Sequence, residues 1–201
     1  MIVDFIFDVA SPNAYLAHRV IPDFEKRTGT TFNYIPCLLG GIHKLTNNQP
    51  PFVAFAEIKN KSDYQIIELE RFVKQHKLDK YKFNSHFPPS TIQIQRGAIA
   101  AKKLGVFEQY IECVLVAMWE NDKNLSDIEV LKETLNENDF DVNAIIEIVT
   151  SQACKDELIK NTDEAVSRGA FGVPTFFLNE QIFFGKDHLH QLEEYIYSLK
   201  N

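Results

Sequence analysis

From its second residue the chain runs Ile2-Val3-Asp4-Phe5-Ile6-Phe7, alternating and rich in β-formers, which predicts a short strand. From Pro12 the period changes. Leu16, Val20 and Phe24 recur every fourth position, one stripe of a helix that Pro22 should bend and Gly29 should close. Thr30 to Pro36 returns to β-forming residues as a second strand. A strand, a helix and a strand in so short a span make a βαβ unit, with parallel strands and a right-handed crossover.

Between Leu38 and Pro51 the periodicity is lost, and Gly40-Gly41, Asn47-Asn48 and Pro50-Pro51 predict a long ordered loop, usually a functional one. Helical spacing resumes over 63–76, 91–104 and 107–120. Ser126-Asp127-Ile128-Glu129 reads as a capping box opening another helix, with Leu131 and Leu135 on its apolar face. Segments 141–150 and 152–168 continue the helical block to Gly169, expected as a C-cap. Phe171–Leu178 and Ile182–Gly185, parted by a turn of Asn179-Glu180-Gln181, read as a hairpin, and Asp187 to Leu199 as an amphipathic helix.

The order is βαβ, a long helical block, then ββα. This is an α/β chain with the outline of a thioredoxin-like fold interrupted by a large all-helical insertion. Residues 1–40 would form the N-terminal part of the thioredoxin-like domain, 41–168 the connecting loop and helical insertion, and 169–201 the C-terminal part.

At 201 residues, 45% apolar and 12% aromatic, the chain can bury a full core as one compact unit. The formal charge of -7, without any Lys/Arg-rich run, argues against nucleic acid or an anionic membrane as partner and favours small molecules. Met1 to Asp8 carries two acids and no basic residue, unlike a secretion signal, and no apolar run approaches the ~20 residues of a membrane helix. Three widely spaced cysteines do not suggest a disulfide framework, so a reducing cytoplasm is expected. The six histidines show no metal spacing, and no metal is expected; His188 and His190 read as solvated.

Candidate chemistry centres on Ser11. It is a suitable N-cap, followed by Pro12 as a suitable first helical residue, and the unpaired N–H groups and helix dipole beside its hydroxyl would stabilise a thiolate or another small anion. It is either a cap or a catalytic site. Ser11-Pro12-Asn13-Ala14 holds no cysteine, which excludes disulfide exchange there. Val173-Pro174 opens a strand with a residue that cannot donate to the sheet and often marks a cis bond. In a thioredoxin-like sheet it would lie beside the first helix, leaving the Val173 backbone to pair with a peptide-like ligand. Lys44 and Asn48 fall in the expected loop, and Asp187 reads equally as the cap of the last helix. Cys113 and Cys154 lie within helical patterns as small buried residues, while Cys37 follows the second strand without a close partner.

Ser11-Pro12-x-Ala14-Tyr15, Leu39-Gly40-Gly41-Ile42-x-Lys44, Asn48-x-Pro50-Pro51, Gly169-x-Phe171-Gly172-Val173-Pro174-Thr175-Phe176 and Phe184-Gly185-x-Asp187 together resemble the 2-hydroxychromene-2-carboxylate isomerase family. That family shares its fold with kappa-class glutathione transferases and DsbA-like oxidoreductases. The resemblance covers essentially the whole chain. It implies glutathione as cofactor, its sulfur facing Ser11, with Val173 and Pro174 at the cysteinyl part, Asp187 at the γ-glutamyl ammonium, and Lys44 and Asn48 on the carboxylate side. It further implies a small aromatic or conjugated substrate and a homodimer. Asn13 stands where relatives commonly carry Tyr or Phe, and Lys186 and His188 flank Asp187 where relatives often have a small or polar residue and an arginine.

Three functions follow from these readings: a glutathione-dependent isomerase of the hydroxychromene carboxylate type, a kappa-like glutathione transferase or peroxidase, and a non-catalytic thiol-binding protein of DsbA-like fold.

Overall fold

The computed structural model describes residues 1–200. Strand β1 (Ile2–Phe7), helix α1 (Pro12–Thr28) and strand β2 (Thr31–Pro36) open the chain, and β1 and β2 pair in parallel, Phe5 opposite Tyr34. Strands β3 (Thr175–Leu178) and β4 (Gln181–Phe184) form an antiparallel hairpin, and β3 joins β1 antiparallel, with Phe5 opposite Phe176. The sheet order is β2-β1-β3-β4, so the two ends of the sequence meet at its centre.

Between them lie α2 (Leu39–Thr46), the single turn α3 (Pro51–Ala54), α4 (Lys61–Gln75), α5 (Ile92–Leu104), α6 (Phe107–Trp119), α7 (Ile128–Glu137), α8 (Val142–Thr150) and α9 (Gln152–Ser167). A 3-10 turn, Lys186–His188, leads into α10 (Leu189–Ser198). Helix α1 continues through Pro22 and closes on Gly29 at φ 62, a left-handed conformation that costs glycine little.

Alternation along β1 explains the layering. Val3, Phe5 and Phe7 face one continuous core that also takes Phe24 and Leu16 of α1 and Ile94, Tyr110, Leu115 and Trp119 of the insertion. Ile6 faces the other side, packing with Cys37, Ile42, Ala165 and Phe177. Sheet and insertion therefore share a core, and α5 and α6 reach the end of β1.

Several local expectations are corrected. Residues 38–51 are not one loop, since Leu39–Thr46 is helical and closes on left-handed Asn47 (φ 53). Glycine propensity lost to packing here. A Cβ on Gly41 would meet Thr162 Cγ2 of α9 at 3.0 Å, so the glycine lets α2 lie close to α9. The cap of α7 is Asp127, whose Oδ1 accepts from Glu129 N at 2.9 Å, while Ser126 Oγ accepts from Ser90 N at 2.8 Å. The hairpin turn holds only Asn179 and Glu180, because Gln181 already pairs with Leu178. Asp187 caps nothing: the residue before α10 is His188, and no side chain caps that helix. Gly169, at φ 106, lies one residue beyond the C-cap Arg168.

Candidate active site

Strand β1 ends where α1 begins, and the turn between them carries Ser11. With φ -93 and ψ 119 the serine is an extended N-cap, and its Oγ accepts from Ala14 N at 3.3 Å. Pro12 has no N–H, and the N–H groups of Ala14 and Tyr15 return to Ser11 O at 3.0 and 3.2 Å. Among the described residues the Asn13 N–H meets no acceptor, which leaves a donor at the positive end of a 17-residue helix.

The hydroxyl itself points across the sheet. It donates to Val173 O at 3.3 Å, and the Val173-Pro174 bond is cis. Ser11 is 5% exposed and Val173 6%. The Val173 N–H makes no hydrogen bond among the described residues. A serine hydroxyl, a helix-end N–H and the N–H of the turn just before β3 therefore sit within one small region. That donor set suits an anionic sulfur attached to a peptide-like backbone.

Polar residues from elsewhere hold this turn. Asp8 is buried; its Oδ1 accepts from Ala10 N at 3.0 Å and its Oδ2 from Leu39 N, the first residue of α2, at 2.8 Å. Burial pushes its carboxyl pKa upward, and hydrogen bonds from Ala10, Leu39 and Thr91 pull it back. Gln95 of α5 donates through Nε2 to Phe7 O at 2.9 Å and Cys37 O at 2.8 Å, while Trp119 of α6 donates to Val9 O at 2.9 Å. The ends of both parallel strands thus share one amide from the insertion, in addition to the Cys37 N–H that Phe7 O accepts at 3.0 Å. The sequence carried a signal for it, a polar residue beside Ile94 and Ala98 on the buried face of a helix. Asp8, an acid closing an apolar strand, carried a similar one.

The remaining expected residues are placed unevenly. Asn48 Nδ2 donates to Phe171 O at 2.8 Å, which ties the end of α2 to the turn before Val173. Lys44 is exposed and makes no hydrogen bond or ion pair among the described residues. Pro174 O accepts from Gly185 N at 2.9 Å, bringing the Gly185–Asp187 segment to the proline turn. There the Asp187 carboxylate holds Lys186 Nζ at 2.5 and 2.7 Å.

All three cysteines are free thiols. Burial, with Asp8 nearby, pushes the Cys37 thiol far up, and its Sγ lies 3.3 Å from Asn161 O; it is a poor nucleophile where it stands. Among the described residues no His, Cys, Asp or Glu cluster is arranged to hold a metal, and no helix is long and apolar enough to cross a membrane.

A thioredoxin-like sheet, a helical insertion and a serine facing a cis-proline define a thioredoxin-fold protein whose first-helix site carries a hydroxyl in place of a dithiol. The DSBA-like thioredoxin domain matches residues 2–197, and the chain belongs to that family. It is 30% identical to the 2-hydroxychromene-2-carboxylate isomerase of Sphingobium xenophagum, over 96% of this chain and 97% of that protein. It is 29% identical to glutathione S-transferase kappa 1 of Caenorhabditis elegans, over 96% of this chain and 89% of the relative. A solved 2-hydroxychromene-2-carboxylate isomerase structure superposes with a TM-score of 0.84 at 25% identity, covering 99% of this chain and 96% of that one. These relatives are enzymes, named as isomerases and transferases.

Proposed function

We propose that this protein is a glutathione-dependent isomerase of the 2-hydroxychromene-2-carboxylate type, acting on a small conjugated or aromatic substrate. The observation that carries the reading is the Ser11 hydroxyl, held at the start of α1 against Val173-Pro174. When bound, glutathione supplies a nucleophilic sulfur, which opens a conjugated double bond to rotation and is released again by elimination. This chain's part is to bind and to bias a proton. A free thiol titrates near ~8.5, and each unit by which Ser11 and the helix end lower that value corresponds to about 1.4 kcal/mol in favour of the thiolate.

The donor set fits such a ligand. Ser11 Oγ donates to the sulfur once it releases Val173 O, the Asn13 N–H adds the helix-end field, and the Val173 backbone pairs with the cysteinyl amide. Asn48, fixed beside Phe171, and Lys44, exposed on α2, stand on the carboxylate side, and Asp187 with Lys186 at the γ-glutamyl end. The homodimer implied by the resemblance belongs to the same proposal and is checked by light scattering.

Calorimetric titration with reduced glutathione, run beside Ser11→Ala, tests the reading. Binding in the micromolar-to-millimolar range supports it, and absence of binding removes it. The 29% identity to a kappa-class transferase favours a second reading, glutathione transfer, which is separated by whether the product retains the glutathionyl group.

A further inference from the structure

A cavity of about 320 Å³ opens beside Asp187, walled by α1, the end of α4 and the start of α10. Every carboxylate on its wall is already matched by a cation of the same chain. Asp23 meets Lys26 at 3.0 Å, Glu193 holds Arg27 at 2.9 and 3.0 Å, and both oxygens of Asp187 lie 2.5 and 2.7 Å from Lys186 Nζ. The first two pairs use solvent-facing cations. The third does not: the Lys186 side chain is 3% exposed, and its ammonium stands 4.9 Å from the centre of the Phe72 ring.

An ammonium buried in this way cannot lose its counterion without leaving an uncompensated charge. It also carries three N–H donors, of which Asp187 takes two. One remains for an acceptor. The start of α10, next along the chain, has no side-chain cap and adds the positive end of a 10-residue helix to the same corner. A ligand ammonium arriving here meets a carboxylate that is already balanced, whereas a ligand carboxylate meets a spare N–H and a helix end.

We infer that Lys186 is a specificity-determining residue: it neutralises Asp187, so the thiol ligand is read at this end by its carboxylate and not by its α-ammonium. The inference rests on the glutathione reading above. The γ-glutamyl end carries both groups on one carbon, and only one of them gains from this corner. The class of ligand widens accordingly, to thiols with an acidic end that lack the amino group.

The test titrates wild type, Lys186→Met and Asp187→Asn with two ligands, reduced glutathione and its des-amino analogue, the same tripeptide without the α-amino group. Wild type binds the two within about threefold of each other. Lys186→Met, in which Asp187 is left needing a cation, prefers glutathione by about tenfold or more, the size of one charge-assisted hydrogen bond. Asp187→Asn leaves the Lys186 ammonium uncompensated, so it keeps the wild-type ratio or moves it toward the des-amino ligand, and decides the matter on its own if Lys186→Met does not fold. A wild-type preference for glutathione above about tenfold that collapses in Asp187→Asn overturns the inference. So does a ratio unchanged in folded Lys186→Met. If neither ligand binds the wild type, the glutathione reading itself fails and takes this one with it, an outcome recognised by the two ligands failing together.

Discussion

The Ser11 hydroxyl donates to the Val173 carbonyl at 3.3 Å across a separation of 162 residues. That is long for an O–H···O bond, which centres near 2.7–2.8 Å, so little is lost when the proton turns to another acceptor. Ser11→Ala is expected to lower glutathione-dependent turnover by about 10- to 1000-fold if the hydroxyl stabilises charge in the transition state. Loss of the cap costs about 0.5–2 kcal/mol of stability at the same time. Steady-state kinetics and a thermal melt on the same sample separate the two. Unchanged turnover with a lowered melting temperature would make Ser11 a cap and nothing more.

Gln95 is fully buried and is the bonded partner of Phe7 O and Cys37 O, the carbonyls at the ends of both parallel strands. Gln95→Leu keeps the volume, orphans Cys37 O and leaves Phe7 O with only the Cys37 N–H at 3.0 Å. An unsatisfied buried group costs about 1–3 kcal/mol, so a loss of about 1–3 kcal/mol is expected in urea unfolding, with the slope unchanged. Gln95→Glu, which donates to at most one carbonyl, and only when its carboxyl is protonated, is expected to be at least as damaging. A loss under about 1 kcal/mol in either variant would show that the amide does not hold the strand ends.

The layers of this fold were legible because they rest on periodicity: Leu16, Val20 and Phe24 mark α1, and Phe5 and Phe7 the core face of β1. Ser11, Val173 and Pro174 were legible as well, since N-capping and strand-opening proline are local chemistry. What was missed depends on contacts distant in sequence. Helix α2 exists because Asp8, 31 residues earlier, accepts the Leu39 N–H and because Gly41 fits under Thr162. Neither fact is visible in the stretch from Leu38 to Pro51. Lys186 stood out only as a departure from its relatives. That it is buried follows from the Phe72 ring and the Asp187 carboxylate, which only the folded chain brings onto its ammonium.

Gly97 lies in α5 against Tyr110 of α6, and a Cβ built there would stand 2.0 Å from the tyrosine oxygen. Tyr110 is fully buried and donates to Ile94 O at 2.9 Å, so it has nowhere to move without breaking that bond. Gly97→Ala is expected to destabilise by about 1–3 kcal/mol through overpacking, although alanine is the better helix former. Pairing it with Tyr110→Phe, which removes the clashing oxygen, should recover part of the loss. Additive losses in a double-mutant cycle would contradict the contact.

Helix α1 is clamped to α6 by charge. Arg19 holds Glu112 at 2.8 and 2.9 Å and also Glu120, which accepts from Tyr15 Oη at 2.9 Å. His18 bridges Glu112 at 3.3 Å and Tyr34 at 2.7 Å. The hydrogen bond from His18, and after it those from Arg19, hold the Glu112 carboxyl down to about 2 from an ordinary 4.5. A carboxyl lowered on folding contributes stability that is complete above its unfolded value and is lost as pH falls toward its folded one. The window therefore runs from about pH 4.5 down to about 2. Because the Glu112 side chain is 51% exposed, the contribution is modest and weakens in salt. In urea unfolding at a series of pH values, the wild-type midpoint should fall more steeply below pH 4.5 than that of Glu112→Gln, and the gap should narrow in high salt. Parallel curves would mean that the clamp adds nothing to the hold of the insertion on α1, and that the shared apolar core alone keeps the helix, and Ser11 at its start, in place.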